Sequence, residues 1–538
     1  MGQLTTPSWS EFGSGLDPYQ GNWSEKEAIH LLRRTLFGVR KEDLAKLTAL
    51  NAEKAVTELL KPEPVPPLPV NDYNRDDLVD PDVPFGKPWV EAARSEDGDV
   101  TSARIVSLKS WWVNQILGQK LSLHQKMILF WHNHFATQSW GVFWPTLSYQ
   151  HFMLLHQNTF GNFKTLTKLI TLDPQMLLYL NGAFNNKDAP DENYARELQE
   201  LFCIGKGPNA RFTESDVQQA ARVLTGWTID WNNKGISYFN PWLHDRGTKN
   251  FSSFYNNKII NGKAGVEGAQ EVDELLNMIF NQAETALFIC RKLYRFFVYS
   301  EITSETETLV IEPMARLLRE NNYEIKPVLQ ALFSSAHFYS TDIRGAQIKS
   351  PTDFLLGFWR ATKVSMPNQA SARQQLQIKA SLIWHMDGIG QQLLDPPNVA
   401  GWPAYYQIPN FDRSWVSTDS IPRRAIMTDS FIYWGFWSED LLTNVDLPAY
   451  VKTLREPAFL DPLIDELSDL HLGGELSAAV RDTLKSILLT GQSNEFYWTH
   501  AWNSFVEAPN DRMARTTVES RLKPFFQYLM QLSEYQLY

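Results

Sequence analysis

Cysteine is the scarcest chemistry in this chain: 538 residues hold two, Cys203 and Cys290. Each stands inside an apolar, helix-like pattern, which excludes a disulfide framework and reads as inert packing. Long hydrophobic runs are also missing, and none approaches the roughly 18 residues that cross a bilayer as a helix. No Lys/Arg-rich block offsets the net charge of −11, which argues against nucleic acid or an anionic membrane surface as the main partner. The opening MGQLTTPSWSEFG has neither the basic nor the apolar region of a secretory signal peptide, although Gly2 and Thr6 satisfy the loose myristoylation pattern. A nucleophile elbow, a phosphate loop and an HExxH zinc motif are absent as well, so the commonest named chemistries have no support.

What is present is the composition of a globular protein, 43 % hydrophobic and 21 % charged, with 19 tryptophans. Aromatic faces suit sugar rings, but most of these tryptophans are expected in the core. The apolar periodicity predicts an all-α, multi-helix array. An irregular arm (1–23) leads into a core domain (24–435), followed by a C-terminal helical layer (436–538). Ser24 and Glu27 form a capping box, and the helix they open should stop at Gly38. One further helix is expected from Lys41 to Leu60. The Pro-rich, acidic stretch 61–99 reads as an extended surface insertion. Residues 227–268 are an aromatic loop section, with ISYF and KII as short strands.

The chain is organised around 173–205, DPQMLLYLNGAFNNKDAPDENYARELQELFCIG, which reads as helix, Asn/Asp-rich loop and second helix. That second helix is expected to begin near Asp191, behind Pro190. On it Tyr194, Leu198, Leu201 and Phe202 form an apolar stripe, with Asn193, Glu197 and Glu200 on a neighbouring arc of roughly 60°. Glu197 borders the stripe, so its carboxylate should be partly desolvated and its pKa raised. Asn181, Asn185, Asn186, Asp188, Asp191 and Glu192 make the loop rich in oxygen. Calcium is one reading of that loop, although its spacing is not that of an EF-hand, and local turn chemistry is the other.

Elsewhere, KMILFWHNHFAT reads as a buried helix. His132 and His134 lie two residues apart, about 200° around it, so one ion cannot take both and at most one serves a site. In HDRGTK, His244, Asp245 and Lys249 surround a turn glycine, either as a site wall beside Trp242 or as a salt-bridged turn. The stretch ETALFICRKLYRFFV puts Ala286, Ile289, Leu293 and Phe296 on one stripe, with Arg291 and Arg295 on another face. DPPNVAGW (395–402) is expected to be a rigid loop presenting Asn398 and Trp402.

HLLRRTLFG, KMILFWHNHFAT, DENYARELQELFCIG, TESDVQQAARVLTGW, HDRGTK, CRKLYRFFV, KSPTDFLLG and DPPNVAGW, in this order, resemble the bacterial family catalogued as domain of unknown function 1800. The resemblance spans about residues 24–405. It implies a helical fold and a cell-envelope or periplasmic setting, often beside a co-encoded, sulfatase-like exported protein, but no settled activity; the residues alone leave a cytoplasmic setting open. Three departures stand out: the length of the 61–99 insertion, NFSS after HDRGTK, and Pro403-Ala-Tyr-Tyr406 where paired glycines often follow GW.

Three functional readings compete. In the first, a hydrolase or lyase acts on a polar, glycan-like substrate. Glu197 is its tuned acid or base, His244 with Asp245 a second acid–base element, and His132 a further catalytic candidate. Arg33, Arg34, Lys249, Asn193, Trp242 and Trp402 would bind the substrate. In the second, the same charges form a buried network that fixes helix packing in a non-catalytic binding or export-partner protein. In the third, the 181–192 loop and a helix carboxylate hold a cation.

Overall fold

Ser24 opens the first helix (Glu25–Thr35) as the capping box requires: its side chain takes an N-terminal amide while Glu27 reaches back to the Ser24 amide. Each such cap contributes about 1 kcal/mol by satisfying amides that the helix leaves unpaired. The computed structural model describes residues 15–232 and 234–538. The Gly2/Thr6 pattern and most of the arm lie outside these. Of the arm, Tyr19 bonds back to Ser334 through its amide at 2.8 Å.

The fold is predominantly helical, 56 % of it, with only short two-stranded sheets beside the helices. No helix among the described residues is long and apolar enough to cross a membrane. The anticipated Lys41–Leu60 helix is two, Lys41–Thr48 and Ala52–Leu59. Asn51 breaks it, because its side chain caps the second helix by accepting from the Lys54 amide. ISYF and KII do supply strands: Ser237–Phe239 pairs with Trp227–Ile229, and Ile259–Ile260 with Lys249–Asn250.

His124–His134 is buried along its whole length and stands at the centre of the core. The 61–99 stretch is extended but not loose. Its Asp80 receives Arg104 Nε at 2.8 Å and Tyr73 Oη at 2.6 Å, and its Trp89 is fully buried. Nine tryptophans are buried in the core, among them Trp112, Trp131 and Trp402, whereas Trp231, Trp242, Trp384, Trp434 and Trp437 are exposed. Beyond residue 435 a hairpin (Phe436–Ser438 with Leu441–Thr443) precedes helices that include Leu460–His471 and Arg512–Gln531. The end of that layer is not peripheral: Tyr535 and Tyr538 are buried against Lys349 and Arg34.

Candidate functional site

The helix carrying Glu197 begins at Asn193, two residues later than Pro190 and Asp191 suggest. Asp191 is spent on the turn before it, accepting from the Asn193 amide at 2.8 Å. From Leu198 to Cys203 the helix widens into a π-turn, a form enriched at functional sites. Glu197 is half-buried, and its Oε2 is enclosed without a hydrogen-bond partner. Burial, then repulsion from Glu200, raises its pKa, as its place beside the apolar stripe implies. Arg196 is pulled outward to Glu192 and Glu214.

The HDRGTK turn is built otherwise than the expected His244–Asp245 pair. Asp245 receives Arg222 Nε at 2.7 Å, and the carboxylate on His244 is Glu271, whose Oε1 lies 3.0 Å from Nε2. Burial raises the Asp245 pKa, but Arg222 and the Gly247 amide outweigh it and hold the carboxyl low. His244 Nδ1 bonds to the Thr225 carbonyl at 2.8 Å. Lys249, fully buried, meets Glu271 Oε2 at 2.5 Å and also donates to the Asp245 carbonyl. Glu271 in turn accepts the Lys263 amide at 2.7 Å. Despite its burial, these donors hold the Glu271 carboxyl below its usual range. Every group of this cluster is occupied. None of its partners is shared with Glu197, whose charged neighbours are Glu200, Lys206 and Arg196. Trp242, 73 % exposed, flanks the turn outside, with Arg246 over its ring at 5.9 Å.

Trp402 is not presented: it is 1 % exposed, and its ring lies edge-on to His132 at 5.8 Å. The loop is drawn in because Asn133 Oδ1 accepts the Trp402 amide at 2.9 Å, and Gly401 (φ +92°) lets the backbone approach where a Cβ would collide with Asn133. His132 is buried with neither ring nitrogen bonded, beside His151, whose Nδ1 meets Asp173 at 2.8 Å. Burial, then His151 and Lys109, holds His132 well below its ordinary pKa. His134 bonds to the Phe202 carbonyl at 3.0 Å. Arg34 is buried too, donating to Gln347 and, at 2.7 Å, to the Ile343 carbonyl. Arg33 reaches the Asp469 carbonyl at 2.5 Å.

The oxygen-rich loop is committed to its own turn. Asn185 Oδ1 accepts the Asp191 amide at 2.9 Å, and Asn186 Oδ1 those of Asp188 and Ala189 at 3.0 and 3.2 Å. Among the described residues no group of three or more His, Cys, Asp or Glu is placed to hold a metal ion.

What the fold does open is a cleft of about 460 Å³ between the last turn of the Glu197 helix with the loop after it (200–209), the helix Ala283–Phe297 and the loop 400–408. Lys292 stands on its wall, surrounded by protein but still reachable from the cleft. Its Nζ donates to the Leu201 carbonyl at 3.3 Å and lies 5.1 Å from the centre of the Phe288 ring. Neither Lys292 nor the neighbouring Arg295 makes an ion pair with any described residue, whereas Glu200 and Glu284 on the same wall are paired with Lys206 and Arg291. Desolvation, reinforced by Arg295, pulls the Lys292 pKa down to about 7. Tyr405 and Tyr406, from the Pro403–Tyr406 stretch that departs from the family pattern, also line it, and Tyr405 stacks on Phe296 at 4.8 Å.

Lys292 was not among the residues picked out from the sequence. The available signal was a lysine between Arg291 and Arg295, with Phe288 one turn before it and Phe296 one turn after, beside an apolar stripe. None of the residues proposed from the sequence as catalytic or substrate-binding lines the cleft, although Glu197 stands one turn from Glu200, which does.

The chain matches the family described as protein of unknown function, DUF1800, over residues 30–537, and it belongs to that family. No curated protein and no solved structure matches it.

Proposed function

We propose that this DUF1800 protein binds a carboxylate-bearing sugar in the cleft beside the helix Ala283–Phe297 and, with Lys292 as base, cleaves it by elimination. The observation that carries this reading is Lys292 itself: a lysine without a carboxylate partner, on the apolar wall of an open cleft, with its pKa pulled down to about 7. A base tuned close to ambient pH combines a useful deprotonated fraction with driving force for proton transfer. Arg295, also unpaired, would hold the substrate carboxylate.

In the step, the Lys292 amine takes the proton from the carbon next to that carboxylate. The C–H electron pair becomes a C=C bond, and the C–O bond to the neighbouring sugar breaks. The leaving oxygen keeps its electron pair and takes a proton from the Tyr406 phenol. Tyr406 accepts from Asn398 Nδ2 at 3.0 Å, which leaves its own hydrogen free to donate. A lyase fits this wall better than a carboxylate hydrolase, since Glu200 and Glu284 are neutralised by their ion pairs. The envelope setting and sulfatase-like partner implied by the family resemblance suit a glycan substrate.

A purely binding role is favoured by one contact, the bond from Lys292 to the Leu201 carbonyl, which already gives the ammonium a structural use. Uronate-containing glycans assayed by the absorbance of the unsaturated product, with binding measured by calorimetry, separate the two. Under the lyase reading Lys292→Arg binds but turns over at least about a hundredfold more slowly, since a general base contributes about 10²–10⁴-fold. Binding without turnover in the unaltered protein would leave the binding role, and failure to bind any anionic glycan would remove both.

A further inference from the structure

The arginine pair of HLLRRTLFG does not reach the cleft, yet one member has an opening of its own. Arg33 and Lys349 line a separate cavity of about 30 Å³, between the first helix and the helix Pro351–Ala361. Two of the resemblance-carrying stretches meet there. Gly38 (φ +77°) brings its backbone so close to Gly357 that a Cβ would lie 2.2 Å from the Gly357 oxygen. Leu470, His471, Tyr535 and Tyr538 close the far side.

Two cations, Arg33 and Lys349, face this space, and the carboxylates that act on them are Asp469 on Arg33 and Asp353 on Lys349. Arg33 and Lys349 make no ion pair with any described residue: Arg33 donates to the Asp469 carbonyl, and Lys349 to the His471 carbonyl at 3.1 Å. The Arg33 Nε is enclosed without a partner. Lys349 stands 3.9 Å from the centre of the Tyr535 ring. Asp353, the one carboxylate on the lining, is already engaged by Lys126 and by Ser350 Oγ at 2.7 Å. Arg424 adds another cation behind Lys349, donating to the Lys349 carbonyl at 2.9 Å. His471 bonds through Nε2 to the Tyr450 hydroxyl at 2.7 Å. Burial, then Lys349 and Arg33, drives its pKa down to about 3, so it adds no charge of its own near neutrality.

We propose that this cavity holds a small inorganic anion, chloride being the probe of choice, between the Arg33 guanidinium and the Lys349 ammonium. Cations gathered in a poorly solvated space repel one another unless a counter-ion joins them. A volume of about 30 Å³ has room for one or two water-sized guests, which admits a halide and excludes a sugar or a phosphate ester. The bound ion is structural: it ties the first helix, the 349–357 segment and the C-terminal layer together, and it is separate from the Lys292 cleft.

The test is thermal unfolding of the full-length protein in buffers of constant ionic strength, with chloride replacing gluconate stepwise. A ligand that binds only the folded state raises Tm saturably with its concentration. The expected result is a saturable rise of a few degrees, with ³⁵Cl NMR line broadening in excess of a chloride-free-site control. Arg33→Gln, at the more accessible edge, and Lys349→Met should each lose both signals, while Lys292→Met keeps them. If Lys349→Met does not fold, Arg33→Gln alone decides the matter. Equal Tm at every chloride fraction, or the same chloride response in Arg33→Gln as in the unaltered protein, would overturn the proposal.

Discussion

Lys249 and Lys292 are the same residue in two opposite settings, and the contrast separates scaffold from site. Lys249 is fully buried with its carboxylate at hydrogen-bond distance, and that carboxylate is itself saturated by His244 and the Lys263 amide. Lys292 has a backbone carbonyl, an aromatic face and an open cleft, but no carboxylate. A saturated buried charge fixes geometry and has no valence left for a ligand. An unsaturated one carries a free-energy penalty that a ligand can relieve. The His244–Asp245–Lys249 turn is thus a saturated ionic cluster, whereas the cations without ion pairs, Lys292 and Arg295, line the cleft at the end of the Glu197 helix.

The strongest way to break this comparison is to remove the carboxylate of the saturated cluster. Glu271→Ala strands Lys249 and His244 in the interior, and the expected loss is about 3–5 kcal/mol of unfolding free energy, measured by urea denaturation. A loss below about 1 kcal/mol would mean that the cluster is not a structural tie.

Lys292→Met should do the reverse, leaving the fold at least as stable at neutral pH while abolishing glycan turnover. The pH dependence carries the sign. The unfolded lysine holds its proton up to about its ordinary value of 10.5, whereas the folded one releases it near 7. Between those values the unfolded state binds more protons, so this residue makes stability rise with pH. The difference in unfolding free energy between Lys292→Met and the unaltered protein should therefore shrink from pH 7 towards pH 10.5. A constant difference would show that Lys292 is not desolvated.

Asp245→Asn should cost about 1 kcal/mol, because its bonds to Arg222 lie near the surface. Here the folded pKa is depressed, so the contribution is present at neutral pH and fades as pH falls through the folded value. Chemical denaturation at pH 7 and near pH 3 checks it. The smallest effect is expected for Glu197→Gln. Its folded pKa is raised above 4.5, so the charged form weakens the fold once pH passes that value. The amide should be neutral or stabilising by a few tenths of a kcal/mol at pH 7, and indistinguishable below pH 4. A marked loss of stability would place an unseen partner on Oε2.

Local patterns carried much of the fold into view. Ser24 with Glu27, and Thr213 at the head of its helix, cap as their spacing demands. The stripe Ala286, Ile289, Leu293 and Phe296 is buried as its periodicity implies. Both cysteines are buried, their thiols pushed far up by desolvation. The raised pKa of Glu197 was legible for the same reason, since the apolar neighbours that desolvate it sit on its own helix. Glu271 was not legible, because nothing nearby in sequence marks it as the partner of residues 22 and 27 positions earlier.

The chain alone determined where helices start, which faces they bury and which residues carry charge, because capping and amphipathic burial are settled within a few turns. Only the tertiary structure decided which of those charges are neutralised. Arg222 took Asp245, Glu271 took His244 and Lys249, Asn133 pulled Trp402 inward, and Lys292 was left facing a cleft. Ion pairing acts over a few ångströms between segments remote in sequence, and desolvation depends on everything packed around a group, so neither is written in the order of residues.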